Sequence, residues 1–371
     1  MNSIYIHIPF CQSRCIYCDF YSTTHAQGMM ALYVQALIRE MSRRKHYIEC
    51  SRVNTLYIGG GTPSLLPAEL LSAIFEAIHS NFTLTPDAEV TIEANPDDIN
   101  NDWLKNISQT PINRISIGTQ TFDDQILNFI GRRHNAKQTI KAVDACKKAG
   151  ITNISLDLIS SLPGQTMRHW QKDVDLALSL GITHLSAYTL SYEEGTKLYQ
   201  MLINGDIKET DEELSRQMYY HLLNTTEKAG FQQYEISNFS LPGQHSRHNS
   251  CYWQGTPYLG LGAGAHSYDG IRTRRANLPN IKAYINATDD VPHDNEILND
   301  NELYNEFVMT RLRTTLGIPL DKLTANDRQY CLNIANPYIE QKLLSVKNNH
   351  LHLTKEGIFI SNDIISDLMR S

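Results

Sequence analysis

No stretch of the 371 residues approaches the roughly 18 consecutive apolar positions that a membrane-spanning helix needs. No basic segment leads into an apolar run near the first residue, so no secretory signal is visible. An excess of positive charge is also missing. The 40 acidic residues outnumber the 33 basic ones, and the net charge is -7. Nucleic-acid binding needs a concentrated basic surface, and the charges here are spread along the chain. Repeats and low-complexity tracts are absent, and 41% apolar with 20% charged residues is an ordinary globular balance. Seven cysteines are few and odd in number for a disulfide framework in a chain this long. These absences predict a cytosolic, cytoplasmic protein with no transmembrane segment and no nucleic-acid partner.

What is present is alternation. Short β-rich runs at 4–8, 55–58, 89–93, 114–118, 153–159 and 184–190 are separated by segments with apolar residues every three or four positions. The helical segments cover 30–41, 69–79, 136–149, 170–180 and 213–228. Six strand–helix units in succession predict an α/β fold, a partial (β/α)6 barrel, over residues 1–230. From 231 to 295 the pattern breaks into a segment rich in Gly, His, Asn and Tyr. It reads as irregular backbone with short strands packed on the barrel. Helices at 301–313 and 327–343, a hairpin across Asn348-Asn349 and a last helix at 355–369 predict a small winged-helix-like domain over 296–371.

Three of the seven cysteines sit within eight residues. Cys11, Cys15 and Cys18 form CxxxCxxC just past the first strand. Thiolates are the ligands of iron–sulfur clusters. Three in one loop cap three irons of a 4Fe-4S cubane and leave the fourth open. An open iron can chelate the amino and carboxylate groups of S-adenosylmethionine (SAM), and an electron passed to the sulfonium would break a carbon–sulfur bond. Zinc is the alternative, but it wants four closed ligands, usually in two pairs. No second pair exists, and His7 alone is a poor substitute. Cys50, Cys146 and Cys331 fall in helical segments and read as small core residues.

The other unusual residues fall where strands end, which is where β/α barrels place their chemistry. Gly59-Gly60-Gly61-Thr62-Pro63 follows the second strand, and its glycines allow close backbone approach to a ligand. Glu93 ends the third strand and could accept from an ammonium group. Gln120 and Arg132 follow the fourth, and Arg132 suits a carboxylate. Asp157 on the fifth could bind ribose hydroxyls, while Tyr5 and Tyr17 could line an adenine or a sulfonium. Taken singly, each of these is more often structural; their common placement is the signal.

These residues resemble the radical SAM family of oxygen-independent coproporphyrinogen III oxidases and their relatives. The resemblance is carried by Tyr5 to Cys11, CxxxCxxC, GGGTP, Glu93, Gly118 to Phe122, Gly131 to His134 and Asp157, and it extends nearly end to end. It implies a 4Fe-4S cluster on Cys11, Cys15 and Cys18. It implies SAM contacts from Tyr5, Tyr17, Gly60, Gly61, Thr62 and Glu93, and an adjoining ligand site of Gln120, Arg132 and Asp157. The true oxidases continue CxxxCxxCxC after an N-terminal extension. Here Cys18 is followed by Asp19-Phe20, and Cys11 lies almost at the start. Both features are similar to the heme chaperone branch of the family.

A second motif points the same way. His248-Asn249-Ser250-Cys251-Tyr252-Trp253 matches the HNxxYW signature linked with heme in that branch. An imidazole can ligate heme iron, and Tyr252 and Trp253 offer flat faces to a porphyrin. His245 and His266 are candidate second ligands. The bland reading is a buried aromatic cluster with one hydrogen-bonded histidine. The resemblance therefore implies heme binding at His248, Asn249, Tyr252 and Trp253, and delivery to an acceptor protein that the sequence does not name. The alternative is radical decarboxylation of coproporphyrinogen III propionates to vinyl groups, which needs an electron donor.

Overall fold

The computed structural model describes residues 2–48 and 51–370; Cys50 lies outside the described residues. The first strand shows why a barrel forms. In β1 (Ser3–Ile8) the buried Ile4, Ile6 and Ile8 alternate with Ser3, Tyr5 and His7, and a period of two puts the two sets on opposite faces. The isoleucines join one core with Tyr33 and Leu37 of the helix Met30–Arg43. The polar set faces inward.

β2 (Arg52–Gly60), β3 (Thr83–Ala94), β4 (Arg114–Gln120), β5 (Asn153–Ser160) and β6 (His184–Thr189) repeat the scheme. They pair in parallel, in chain order. Aliphatic side chains usually fill a β/α barrel. Here the inward positions include Tyr57, Glu93, Arg114, Ser116, Asp157 and Ser186, and a cavity remains among them. The helices Asn101–Ile107, Asp124–Phe129 and Lys197–Ile203 add to those expected. Each has about two turns or fewer, too short for periodicity to reveal.

The segment after residue 230 holds the expected short strands, and they are ordered into one sheet where irregular backbone was expected between them. β7 (Gln232–Glu235) and β8 (Asn238–Ser240) extend the sheet beyond β6. β9 (Tyr258–Leu261) pairs in parallel with β1, and β10 (His266–Tyr268), β11 (Thr273–Asn277) and β12 (His293–Ile297) follow antiparallel. The result is a twelve-stranded sheet in the order β12-β11-β10-β9-β1-β2-β3-β4-β5-β6-β8-β7. The glycines that looked like loop signals serve backbone contact. A Cβ on Gly260 would lie 1.8 Å from the His266 carbonyl oxygen.

One buried carboxylate ties this edge to the barrel. Glu40 pairs with Arg44 at 2.8 Å and accepts from the Asn277 amide, the Tyr284 hydroxyl and the Gly262 N–H. Every oxygen is used, as burial of a charge requires.

The C-terminal residues form a second core around Tyr304, Val308, Leu312, Leu344, Leu351 and Ile364. The helices Asp300–Leu312 and Ala325–Glu340 pack there with β13 (Ile318–Pro319), β14 (Leu344–Lys347) and β15 (His350–Leu353). Asn348 and Asn349, both at positive φ, make the expected hairpin turn. The last helix is not continuous as expected. It breaks into Lys355–Ile358 and Ser361–Leu368, which lets Gly357 sit against the Leu343 backbone while Ile364, Ile365 and Leu368 reach the core. Among the described residues, no helix is long and apolar enough to cross a membrane.

Candidate functional site

A cavity of about 460 Å³ opens at the C-terminal ends of the barrel strands. The loop from Cys11 to Cys18 forms its lip, fixed by the Cys11 N–H to the Thr23 carbonyl, the Ile16 N–H to Ile130 and the Leu198 N–H to Ile16. All three thiols line the cavity. Among the described residues, no three His, Cys, Asp or Glu side chains converge tightly enough for a single metal ion. Three thiols on one cavity lip suit a cubane, which takes three protein ligands and leaves its fourth iron open.

The glycine run beneath the lip has no room for side chains. A Cβ on Gly61 would lie 2.9 Å from the Cys11 sulfur, and one on Gly60 would strike the His7 ring. Thr62 donates to Cys11 across 3.5 Å. Glu93 faces the same space. Its carboxylate accepts from the Tyr57 hydroxyl at 2.7 Å and the Gly60 N–H at 3.0 Å. Burial nonetheless lifts its pKa to about 7, against those hydrogen bonds. Burial raises Asp157 in the same direction, although Ser116 donates to it at 3.1 Å.

Arg132 braces the lip from the far side. Its Nη1 reaches the Cys15 sulfur at 3.5 Å, and its Nη2 donates to the Asn95 oxygen at 2.7 Å and the Gly118 carbonyl. Gly131 sits at φ 81°, and a Cβ added there would lie 3.7 Å from the Cys15 Cα. Gln120 has φ 65°, beside a register shift that ends the β4–β5 pairing. A bulge there re-aims a side chain at the cost of strain.

The structure therefore brings Cys11, Cys15, Tyr17, Cys18, Gly60, Gly61, Thr62, Glu93, Gln120, Arg132 and Asp157 to one cavity. Tyr5 does not line it. Its hydroxyl bonds the His7 ring at 2.9 Å and its ring lies beside Tyr57. Arg114, Ser116 and Ser186 line the cavity and were not foreseen. Their signal was the alternation of polar residues with buried isoleucine and leucine along β4 to β6.

The HNxxYW motif folds as a short helix, Arg247–Trp253. It closes the barrel interior at the N-terminal ends of the strands, where Glu89 of β3 accepts the backbone N–H groups of Arg247 and His248 at 2.9 Å each. His248 is 1% exposed. Its Nδ1 meets the Thr55 hydroxyl and its Nε2 the Tyr252 hydroxyl, both at 2.9 Å, and its ring stacks on Tyr57. Burial, with Arg114 nearby, holds its pKa down at about 3. It is thus a neutral imidazole with both nitrogens engaged. His245 sits near the Tyr234 ring, and His266 is exposed on β10.

Two of the four motif residues, Asn249 and Tyr252, line different chambers. Asn249 lines the barrel cavity. Tyr252 lines a second cleft of about 400 Å³, with Tyr258, Tyr268, Phe307, Met309, Arg274 and Arg311. Trp253 lies under the Arg313 guanidinium at 5.7 Å. Cys251 is buried and donates to the Arg247 carbonyl at 3.2 Å.

Residues 5–177 match the Radical SAM superfamily, and residues 298–360 match the HemN C-terminal domain. The chain is 35% identical over 375 residues to heme chaperone HemW of Lactococcus lactis subsp. lactis (strain IL1403), spanning 99% of this chain and 97% of that one. The chain belongs to the HemW family. Heme chaperone HemW of Bacillus subtilis (strain 168) is 34% identical, with 98% of each chain covered. The solved coproporphyrinogen III oxidase (HemN) of Escherichia coli, a radical SAM enzyme, superposes with a TM-score of 0.85. That match covers 99% of this chain and 90% of that one at 21% identity, a likeness of fold. Membership of this family implies a 4Fe-4S cluster and SAM. The thiols on the cavity lip, the glycine run with no space for a Cβ and the half-buried Glu93 are residues that fit such a pair.

Proposed function

We propose that this protein is a heme chaperone, which binds heme and passes it to an acceptor protein in the cytoplasm, where thiols stay reduced. The observation that carries the reading is the HNxxYW helix, set as the wall of an aromatic cleft in a chain matched end to end by heme chaperones. In that cleft Tyr252, Tyr258, Tyr268 and Phe307 would offer apolar faces to a porphyrin, and Arg274 and Arg311 would meet its carboxylates. For His248 to ligate iron, its Nε2 must exchange the Tyr252 hydroxyl for the metal. Because the imidazole is neutral, no proton need leave first.

At the other end, Cys11, Cys15 and Cys18 would hold the cluster. Glu93, Gly60, Gly61, Thr62 and Tyr17 would bind SAM, with Glu93 accepting from its ammonium. Bound together, the cluster and SAM supply one-electron chemistry at a carbon–sulfur bond. Arg132 would hold the Cys15 thiolate in place, while Gln120 and Asp157 would line the adjoining ligand space.

The test is anaerobic reconstitution with iron and sulfide followed by hemin titration of the wild type and His248→Ala. A Soret band in the wild type that weakens in the variant, with the cluster absorbance unchanged, supports the reading. Equal binding by both proteins counts against the motif as the heme site. A second reading, radical decarboxylation of coproporphyrinogen III, draws on the polar cavity that stays open beside the cluster loop. Protoporphyrinogen formation under reducing conditions with an electron donor would establish it.

A further inference from the structure

The floor of the barrel cavity carries a cation that has no contact partner among the described residues. Arg114 opens β4, is 2% exposed, and lines the cavity. Its Nε has no hydrogen-bond partner, and among the described residues no hydrogen bond or ion pair reaches its guanidinium. Arg44, the other buried arginine described, contrasts with it. Arg44 contacts Glu40, the Gly260 carbonyl and Ser267. Taking a guanidinium out of water is costly unless it is paired and hydrogen-bonded. Glu93 and Asp157 attract Arg114 from a distance without touching it.

A second polar group faces the same space. Asn249 also lines the cavity; its backbone N–H is used by Ser246, and its side-chain amide has no partner among the described residues. A guanidinium fork and an amide donor that face one cavity can together meet the two oxygens of a carboxylate. The nearby Glu93 and Asp157 disfavour a doubly charged anion such as phosphate, since like charges repel at short range.

We propose that Arg114 and Asn249 form a carboxylate-binding subsite at the floor of the barrel, which takes the acidic arm of a ligand lying between them and the cluster loop. The subsite stands apart from the heme cleft and does not require heme transfer. Its ligand carries a short aliphatic carboxylate, either a propionate arm of a tetrapyrrole or a small free acid.

The experiment uses the full chain, reconstituted with iron and sulfide, as wild type, Arg114→Met, Arg114→Lys and Asn249→Ala. Coproporphyrin III binding is followed by fluorescence quenching, propionate binding by its effect on the melting temperature, and SAM binding by calorimetry. Arg114→Met is expected to weaken carboxylate binding at least tenfold, with Arg114→Lys intermediate and SAM affinity retained. The same variant is expected to melt higher without ligand, because a buried cation held for a ligand is a liability to the empty fold. Weakened coproporphyrin binding assigns the subsite to a tetrapyrrole arm. Loss of propionate stabilisation alone assigns it to a small acid. Equal binding of both probes by wild type and Arg114→Met overturns the proposal, as does a lower melting temperature with binding unchanged. Should Arg114→Met not fold, Arg114→Lys and Asn249→Ala carry the same comparison, and undiminished binding by both overturns it.

Discussion

The imidazole of His248 and the hydroxyl of Tyr252, one helical turn apart, share a hydrogen bond of 2.9 Å that occupies the nitrogen a heme iron would need. Removing that hydroxyl should therefore help heme rather than hinder it. A net hydrogen bond is worth about 0.5–1.5 kcal/mol, so Tyr252→Phe should bind hemin roughly 2–10-fold more tightly. Hemin titration by Soret absorbance measures this. Weaker binding by Tyr252→Phe would show that the hydroxyl itself contacts heme.

Glu93 makes SAM binding depend on pH. With its carboxyl at about 7, ionising it to receive an ammonium becomes harder as the pH falls. SAM affinity should drop below pH 7, approaching tenfold per unit. Stability without ligand runs the opposite way. A carboxyl whose folded pKa is raised above the ordinary 4.5 favours folding at low pH, and that contribution is lost as the pH rises from about 4.5 to 7. Glu93→Gln should flatten both slopes, which calorimetry and thermal melts across this range would reveal.

Gly61→Ala tests the glycine cradle. Its new methyl would sit 2.8 Å from the Phe10 carbonyl oxygen and 2.9 Å from the Cys11 sulfur, and crowding of this kind costs about 1–3 kcal/mol. The fold should survive while iron and sulfide content after reconstitution falls. Full cluster loading would mean that the loop can yield.

Glu40 holds the added sheet edge. Breaking a buried ion pair by removing one partner costs about 3–5 kcal/mol, and Glu40→Ala would leave Arg44 buried without its carboxylate. Urea denaturation should show a loss of that size, with Glu40→Gln losing less. A change below 1 kcal/mol, on the order of a surface ion pair, would rule out the stapling role.

Much of the barrel was legible because its strands announce themselves twice, by alternation and by the helices between them. The cavity residues were legible for the same reason: Glu93 and Gln120 stand near strand ends, and Asp157 interrupts an apolar strand. Arg114 escaped because it stands at the beginning of a strand, where a charged residue reads as solvent-facing. The pairing of the edge strands β9 to β12 escaped because they are short and joined through glycines, and their order depends on the Glu40 network. No local pattern links Glu40 to Asn277 or Tyr284. The position of the motif helix was equally hidden, since the carboxylate that anchors it, Glu89, lies 158 residues upstream of Arg247. HNxxYW was readable as a motif, but its burial was not.

A partition has two sides. The helix Arg247–Trp253 is seven residues long, about 10 Å at 1.5 Å per residue. It is too short to bend independently, so a ligand that turns it must shift Asn249 and Tyr252 together. Whatever preference one chamber's occupant has for a given tilt is felt by the other's to the same degree, since linkage is reciprocal. Filling the barrel would thus set the grip of the cleft, and emptying the cleft would be reported back to the cluster end.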